Sequence, residues 1–300
     1  MESKITLAHG SGGEKYRELV QEIFLPAYSN EYLSPLTDSA ILEGGGKIAM
    51  TTDSYVVRPL FFPGGDIGSL AVSGTVNDLA VSGALPKYIS VGMILEAGLE
   101  MDVLKRIVDS ISNTAEKAGV KVVTGDTKVV ESKSADEIFI NTAGVMNARN
   151  NLGFSPPIES DAAPLGKLVD AIFMNENNII HAMRDPTRGG VAATLCEWVT
   201  STTDIIIYQG SVPVRPDVAA ACRLLGLDPL HIANEGIILF SVPEKCADSV
   251  LAALRKEEYG KDSAIIGEVR EGRGTVSAVT DFGSKIRITM PNGELLPRIC

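Results

Sequence analysis

The stretch "KYISVGMILEAG" at 87–98 alternates apolar and polar positions, the period of a β-strand with one buried face. The next run, "MDVLKRIVDSISNTAEKAG" at 101–119, changes to a period of three to four. It predicts an amphipathic helix closed by Gly119. Strand-like patterns return in "VKVVTGDTKVVE" at 120–131 and "DEIFINTAGV" at 136–145. Upstream, "AHGSGGEKYRELVQEIFL" at 8–25 passes from a glycine-rich opening into an amphipathic helix with Leu19, Ile23 and Phe24 on one face. Residues 34–57 predict two strands joined by a turn at Gly44, Gly45 and Gly46. "GGDIGSLAVSGTVNDLAVSGA" at 64–84 reads as a helix lined with small residues, which lets a neighbouring backbone or ligand approach closely.

These elements predict an α+β domain over 1–144. The Pro-, Ser- and Gly-rich stretch "NNLGFSPPIESDAAPLG" is loop-like and opens a second mixed α/β domain over 145–290. Within it "MRDPTRGG" predicts a turn, and 191–202, 216–225 and 244–257 predict helices. "SAIIGEV", "GTVSAV" and "SKIRITM" predict strands. Residues 291–300 read as a mobile tail, and no short-period repeat is present.

Composition narrows the function. The chain has 300 residues, 45% hydrophobic and 22% charged, as expected of a folded soluble protein. Its net charge of −11 opposes non-specific binding to nucleic acid or to anionic membrane surfaces. A nucleotide carried by Mg²⁺ stays compatible, because the ion lets carboxylates face phosphates. No apolar run approaches the ~20 residues a bilayer requires, and the first residues lack the apolar core of a signal peptide. A cytoplasmic location is the expectation. Cys196, Cys222 and Cys246 lie in helix-like apolar contexts and read as reduced core residues. Cys300, the last residue of the sequence, cannot be core.

Four acids stand in related settings: Asp53 in "TTDS", Asp78 in "VNDLA", Asp126 in "TGDTK" and Glu235 in "ANEG". Carboxylates at strand ends and on an adjacent helix can converge on a divalent cation, and Mg²⁺ wants oxygen ligands. The alternative for each is a turn-capping acid. Lys128, two residues after Asp126 and on the same strand face, could reach a phosphate. "HGSGG" at 9–13 could cradle phosphate with backbone N–H groups ahead of a helix, although it satisfies no standard nucleotide motif. Arg188, in the first turn after "DPT", opposes the helix dipole and so points to service of an anion, an exposed arginine being the alternative. His9, His181 and His231 read as structural.

Together "HGSGG", "VSGTVNDLAVSGALPKYIS", "VVTGDTKVVE", "DPTRGG", "ANEG" and the final "PRIC" resemble the HypE family of nickel–iron hydrogenase maturation factors, over almost the whole chain and in order. This family shares the PurM-like ATP-binding fold with aminoimidazole ribonucleotide synthetase, selenophosphate synthetase and thiamine-monophosphate kinase. The resemblance implies two α/β domains, a homodimer built as a barrel from the N-terminal sheets, and Mg·ATP in a cleft of the first domain. It implies that a HypF-type carbamoyltransferase loads a carbamoyl group onto Cys300. ATP then drives dehydration to a thiocyanate, and the cyano group passes to iron on a HypC–HypD scaffold. The implied metal ligands are Asp53, Asp78 and Asp126. Gly10, Ser11, Gly12, Gly13, Asp38, Asn77, Asp78, Thr124, Gly125, Asp126, Lys128 and Arg188 are the implied nucleotide contacts. Glu235 is the implied base, acting with Cys300 and Lys128.

Loaded Cys300 must first be a thiolate, and its own α-carboxylate, a like charge, raises the thiol pKa. Arg298 could offset that charge, and Pro291 and Pro297 restrict the tail. The chain departs from the family near Gly144 and Val145, where relatives carry a further segment with a Gly-Asp-His-Gly turn. Either the chain has a real deletion there or residues are missing from the sequence. Two other readings are a small-molecule ATP-dependent synthetase or kinase of the same fold, and a non-enzymatic assembly factor that offers its tail to partners.

Overall fold

The computed structural model describes residues 3–10, 14–34, 49–132, 137–140, 160–175, 180–187 and 189–290. These divide into two compact units, the first taking the described residues up to Gly166 and the second those from Lys167 on. The predicted turn at Gly44–Gly46 and the tail lie outside the described residues.

In the first unit, α1 (Glu14–Leu19) runs through a π turn, Val20–Phe24, into α2 (Leu25–Tyr28). Pro26 has no N–H and its ring crowds the carbonyl four residues back, so a regular ladder cannot pass through. The turn before it widens, and the Leu25 N–H donates to Val20 O. Leu19 and Ile23 are buried as predicted, while Phe24 stays partly exposed. A short hairpin, β1 (Phe61–Phe62) and β2 (Gly65–Asp66), leads into α3 (Ile67–Val81). Asp66 caps α3 by accepting from the N–H groups of Gly68 and Ser69, and Ser69 Oγ accepts from the Asp66 N–H. Small residues let α3 lie hard against α4 (Met101–Ala118): a Cβ on Gly68 would stand 2.7 Å from Ile107 O. Gly119 ends α4 with φ 73°, as the pattern predicted.

That helix is the crossover between parallel strands β3 (Tyr88–Glu96) and β4 (Lys121–Val130). β5 (Ile138–Ile140) pairs antiparallel with the other edge of β3, and Tyr55 bridges to Ile140. Met93, Leu95, Thr127, Ile138 and Ile140 are buried on one face of this sheet. On that face Ala71 and Val72 of α3 and Ile111 of α4 close over Ile89 and Val91, leaving a void of only about 20 Å³. Gly92, Ile94, Asp126 and Lys128 occupy the opposite face and are exposed.

The second unit begins with α5 (Gly166–Asn175), followed by β6 (Ala182–Arg184), which pairs with β8 (Leu239–Ser241). Its main sheet has the order β11-β10-β7-β9, with β7 (Thr203–Tyr208) parallel to β10 (Val276–Val279). β9 (Gly267–Glu271) and β11 (Lys285–Ile288) are the antiparallel outer strands. Val191, Ala192 and Leu195 of α6 (Gly190–Trp198) pack on Ile205, Ile207, Val276 and Ala278. α7 (Pro216–Leu225) falls where predicted, and the third predicted helix is a 3-10 turn, Glu244–Cys246, followed by α8 (Ala247–Leu254). Of the three described cysteines, all free thiols, only Cys222 is core. Cys196 and Cys246 are half-buried: Cys196 packs against the second unit's core without being enclosed by it, and Cys246 ends the 3-10 turn.

Gly68→Ala should lower stability by about 1–3 kcal/mol, since the methyl group meets a backbone carbonyl that cannot turn aside. A urea midpoint equal to that of the unaltered chain would contradict so close an α3–α4 approach.

Candidate functional site

β4 runs straight through "TGDTK", as the strand pattern at 120–131 predicted, so Asp126 stands within the strand and not at its end. Asp126 pairs with Gly92 and Lys128 with Ile94, and both side chains stand on the open face. Thr124 pairs with Ser90 just past a bulge at Ile89–Ser90, where β4 carries an extra residue. Gly125 is dictated by the pairing, because a Cβ there would lie 2.3 Å from Val91 O. The start of "HGSGG" comes to the same strand: a Cβ on Gly10 would stand 2.7 Å from Val129 N. His9, expected to be structural, makes only local hydrogen bonds among the described residues. It is buried, and its Nδ1 accepts from the Thr6 N–H at 3.1 Å within the 3-10 turn Leu7–Gly10. Gly10 therefore meets, one residue past Lys128, the strand that carries Thr124, Gly125, Asp126 and Lys128. Ser11, Gly12, Gly13, Asp38, Arg188 and Cys300 lie outside the described residues.

Asp53 and Asp78 form a separate group. Thr51 Oγ1 donates to the Asp78 carboxylate at 2.8 Å, tying the segment that carries Asp53 to the end of α3. Tyr55, Ile140, Met93 and Thr127 are successive partners across the sheet. Three inter-strand steps of about 4.8 Å put the Asp53 segment roughly 14 Å from the strand that bears Asp126. The expected convergence of Asp53, Asp78 and Asp126 on one ion is thus not met within a single chain. Among the described residues, no three His, Cys, Asp or Glu side chains are gathered as a metal would need. The pattern of acids beside strands holds, but strand order separates them. Asn77 also differs from expectation. It is fully buried, donating to Ala163 O at 3.0 Å and accepting from the Leu165 N–H at 2.7 Å, so its carboxamide pins 163–165 beneath α3.

In the second unit "DPTRGG" and "ANEG" are neighbours, joined by the Asn234 N–H donating to Pro186 O at 3.2 Å. Gly189 and Gly190 both take positive φ, and a Cβ on Gly190 would be 2.5 Å from Ile232 O. This brings two buried carboxylates, Asp185 and Glu235, onto adjoining turns. Asp185 was not singled out from the sequence. Its signal was there: an acid before Pro in the motif from which Arg188 was chosen.

Beside β4 lies a cleft of about 560 Å³ between that strand and α1–α2. Tyr28 stacks on Phe24 with ring centroids 6.3 Å apart. Tyr32 meets Tyr88 edge to face at 5.1 Å, their hydroxyls 3.0 Å apart. Asn30 secures this wall through Nδ2, which donates to Val122 O at 2.7 Å, and Ser112 Oγ donates to Ala27 O from α4. Burial, with the nearby Asp109 charge, pushes the Tyr28 hydroxyl above the usual phenol range, so it stays protonated.

The AIR synthase related protein N-terminal domain family matches residues 36–146, and the corresponding C-terminal domain family matches 124–279. The carbamoyl dehydratase HypE of Escherichia coli (strain K12) is 41% identical over 338 aligned residues, which cover 99% of this chain and 100% of that protein. With 300 residues here against 338 aligned positions, at least 38 positions of that alignment have no counterpart in this chain. A crystal structure of the hydrogenase maturation protein HypE in complex with ATP superposes with a TM-score of 0.91 at 41% identity, over 98% of this chain and 99% of that one. HypE in a HypE–HypF complex superposes with a TM-score of 0.76 at 40% identity, over 91% and 99% of the two chains. This mixed α/β chain belongs to the HypE family of hydrogenase maturation proteins, within the PurM-like AIR synthase related proteins.

Proposed function

We propose that this chain is an ATP-dependent carbamoyl dehydratase that supplies cyanide ligands for nickel–iron hydrogenase. The observation that carries the reading is the junction of Gly10 with β4 beside Asp126 and Lys128, in a chain that matches carbamoyl dehydratases end to end. The thiocarbamate oxygen on Cys300 is a poor leaving group. Its attack on the γ-phosphorus of ATP forms a C–O–P linkage and releases ADP. Cleavage of the C–O bond then expels phosphate, the nitrogen gives up its two protons, and a thiocyanate remains. Overall the thiocarbamate and ATP become thiocyanate, ADP and phosphate, the amide oxygen ending in the phosphate.

The residues divide this work. Backbone N–H groups of the loop that begins at Gly10 hold phosphate oxygens, and Lys128 supplies a positive charge as negative charge develops there. Thr124, Gly125 and Asp126 orient the nucleotide along β4, with Ser11, Gly12, Gly13, Asp38 and Arg188 as further contacts. Glu235 takes protons from the nitrogen. Mg²⁺ usually takes one or two protein carboxylates alongside water and phosphate. The oxygen-only pair Asp53 and Asp78, with Asp126 apart, fits that demand; when bound, the ion neutralises phosphate charge. Asn77 holds Asp78 in place from within α3.

Partners follow the same reading. A HypF-type carbamoyltransferase loads Cys300, and a HypC–HypD scaffold receives the cyano group. The open face of the β4-β3-β5 sheet, where Ile94 is 41% exposed, is the surface for a homodimer. Among the described residues no helix is long and apolar enough to cross a membrane, and we assign the protein to the cytoplasm.

Cys300→Ala should bind ATP normally yet show no ADP release coupled to carbamoyl transfer. Unchanged turnover would indicate a soluble small-molecule substrate. Lys128→Ala should still accept a carbamoyl group while dehydrating it ~10²–10³-fold more slowly, as for loss of one charge-stabilising donor; a rate within twofold of the unaltered protein would remove Lys128 from the reaction. Ile94→Glu should shift the sedimentation coefficient from dimer to monomer, and a persistent dimer would place the interface elsewhere.

A further inference from the structure

The second unit's main sheet leaves β9 at one edge of the order β11-β10-β7-β9, and among the described residues no strand takes up its far side. The register against β7 decides which groups that side presents. The Tyr208 N–H donates to Ile266 O at 2.8 Å, and the Gly272 N–H to Thr202 O at 2.9 Å. Hydrogen-bonded pairs recur at every second residue of an antiparallel ladder. Glu268 and Arg270, paired with Ile206 and Asp204, therefore turn their main-chain groups toward β7. Gly267, Val269 and Glu271 aim theirs outward. Val269 is 52% exposed, and its neighbours Arg270 and Glu271 are exposed with it. Free edges are commonly blunted by a proline, a bulge or a charge. β9 has no proline and no shift of register, so charge is its only guard, and that charge is of both signs.

We propose that this edge pairs antiparallel with β9 of a second copy of the chain, about a two-fold axis at Val269. The contact is independent of the dehydratase reading and of the sheet face that carries Ile94. The order of charges along the strand selects both partner and register. With Val269 opposite the partner's Val269, the two exchange both main-chain hydrogen bonds, and Gly267 does the same with the partner's Glu271 on either flank. Glu268 then stands directly opposite the partner's Arg270, and Arg270 opposite the partner's Glu268. These are the non-hydrogen-bonded positions, where side chains come closest. Opposite charges there favour pairing, and like charges oppose it. Moving the axis by one residue is the smallest shift that keeps outward groups facing one another. It sets Glu268 against Glu268 or Arg270 against Arg270, so the neighbouring registers are penalised. Within the single chain Glu268 already meets Arg270 and accepts from the Tyr208 hydroxyl, which places both charges on one face of the strand. An uncharged extended peptide would gain the main-chain hydrogen bonds without the paired charges. Five residues a side are fewer than a free-standing interface needs. The contact therefore joins copies only as concentration rises, above the range in which a dimer through the Ile94 face forms.

Sedimentation velocity of the full-length protein over a concentration series tests this, with Glu268→Arg and Arg270→Glu as variants. The unaltered chain should form larger species as concentration rises. Each variant sets like charges opposite one another in self-pairing and should associate about tenfold more weakly. An equimolar mixture of the two variants brings opposite charges together again, and so does the double exchange within one chain. Both should return to within about threefold of the unaltered association, a recovery that damage to the fold would not give. An unaltered chain whose size does not change up to its solubility limit would overturn the proposal. So would single variants that associate as tightly as the unaltered chain, or a mixture and a double exchange that stay as weak as the single variants.

Discussion

Two glycines hold the first unit's candidate site in place. Gly125 lets β4 come within pairing distance of β3, where any side chain would strike Val91 O. Gly10 lets the turn before α1 press on Val129 of the same strand. Without the first contact, β4 could not pair beside β3 and carry Asp126 and Lys128 on its open face; without the second, the loop proposed to hold phosphate would start away from β4. The first is a backbone-on-backbone approach, and at Gly10 an added Cβ would meet both the backbone N and the side chain of Val129. Catalysis by positioning and charge depends on such rigidity, because the protein contributes little covalent chemistry to phosphoryl transfer.

Much of this was legible in the sequence, and the exceptions share a cause. Local patterns located α3, the β3–α4–β4 crossover and α7, because period, capping glycine and proline act over a few residues. The π turn at Val20–Phe24 escaped because the apolar pattern continues across it and only Pro26 marks it. The partners of Asn77 lie more than 80 residues away, so its burial could not be read locally. The division of the acids into an Asp53–Asp78 group and an Asp126–Lys128 group follows from strand order, a tertiary fact. Asp185 and Glu235 come together through Gly190 and the Asn234–Pro186 hydrogen bond, again a contact between distant segments.

That division carries a consequence for the chemistry. One carboxylate group meets the end of α3, and the other shares a strand with the cation that would meet phosphate. A polyphosphate is long enough to be held at both of two separated points. Such a substrate does not require the three acids to converge, whereas a lone ion would. The second unit offers a different resource: two carboxylates removed from water on a tightly braced pair of turns, suited to proton transfer and not to holding a hydrated ion.

The most direct test of the account is intact-mass spectrometry of the full chain and its Gly10→Ala variant, each incubated with carbamoyl phosphate, the carbamoyltransferase and Mg·ATP. The account predicts that both gain one carbamoyl group at Cys300 and that only the unaltered chain then loses one water. A Gly10→Ala protein that dehydrates its cargo as fast as the unaltered chain would contradict it.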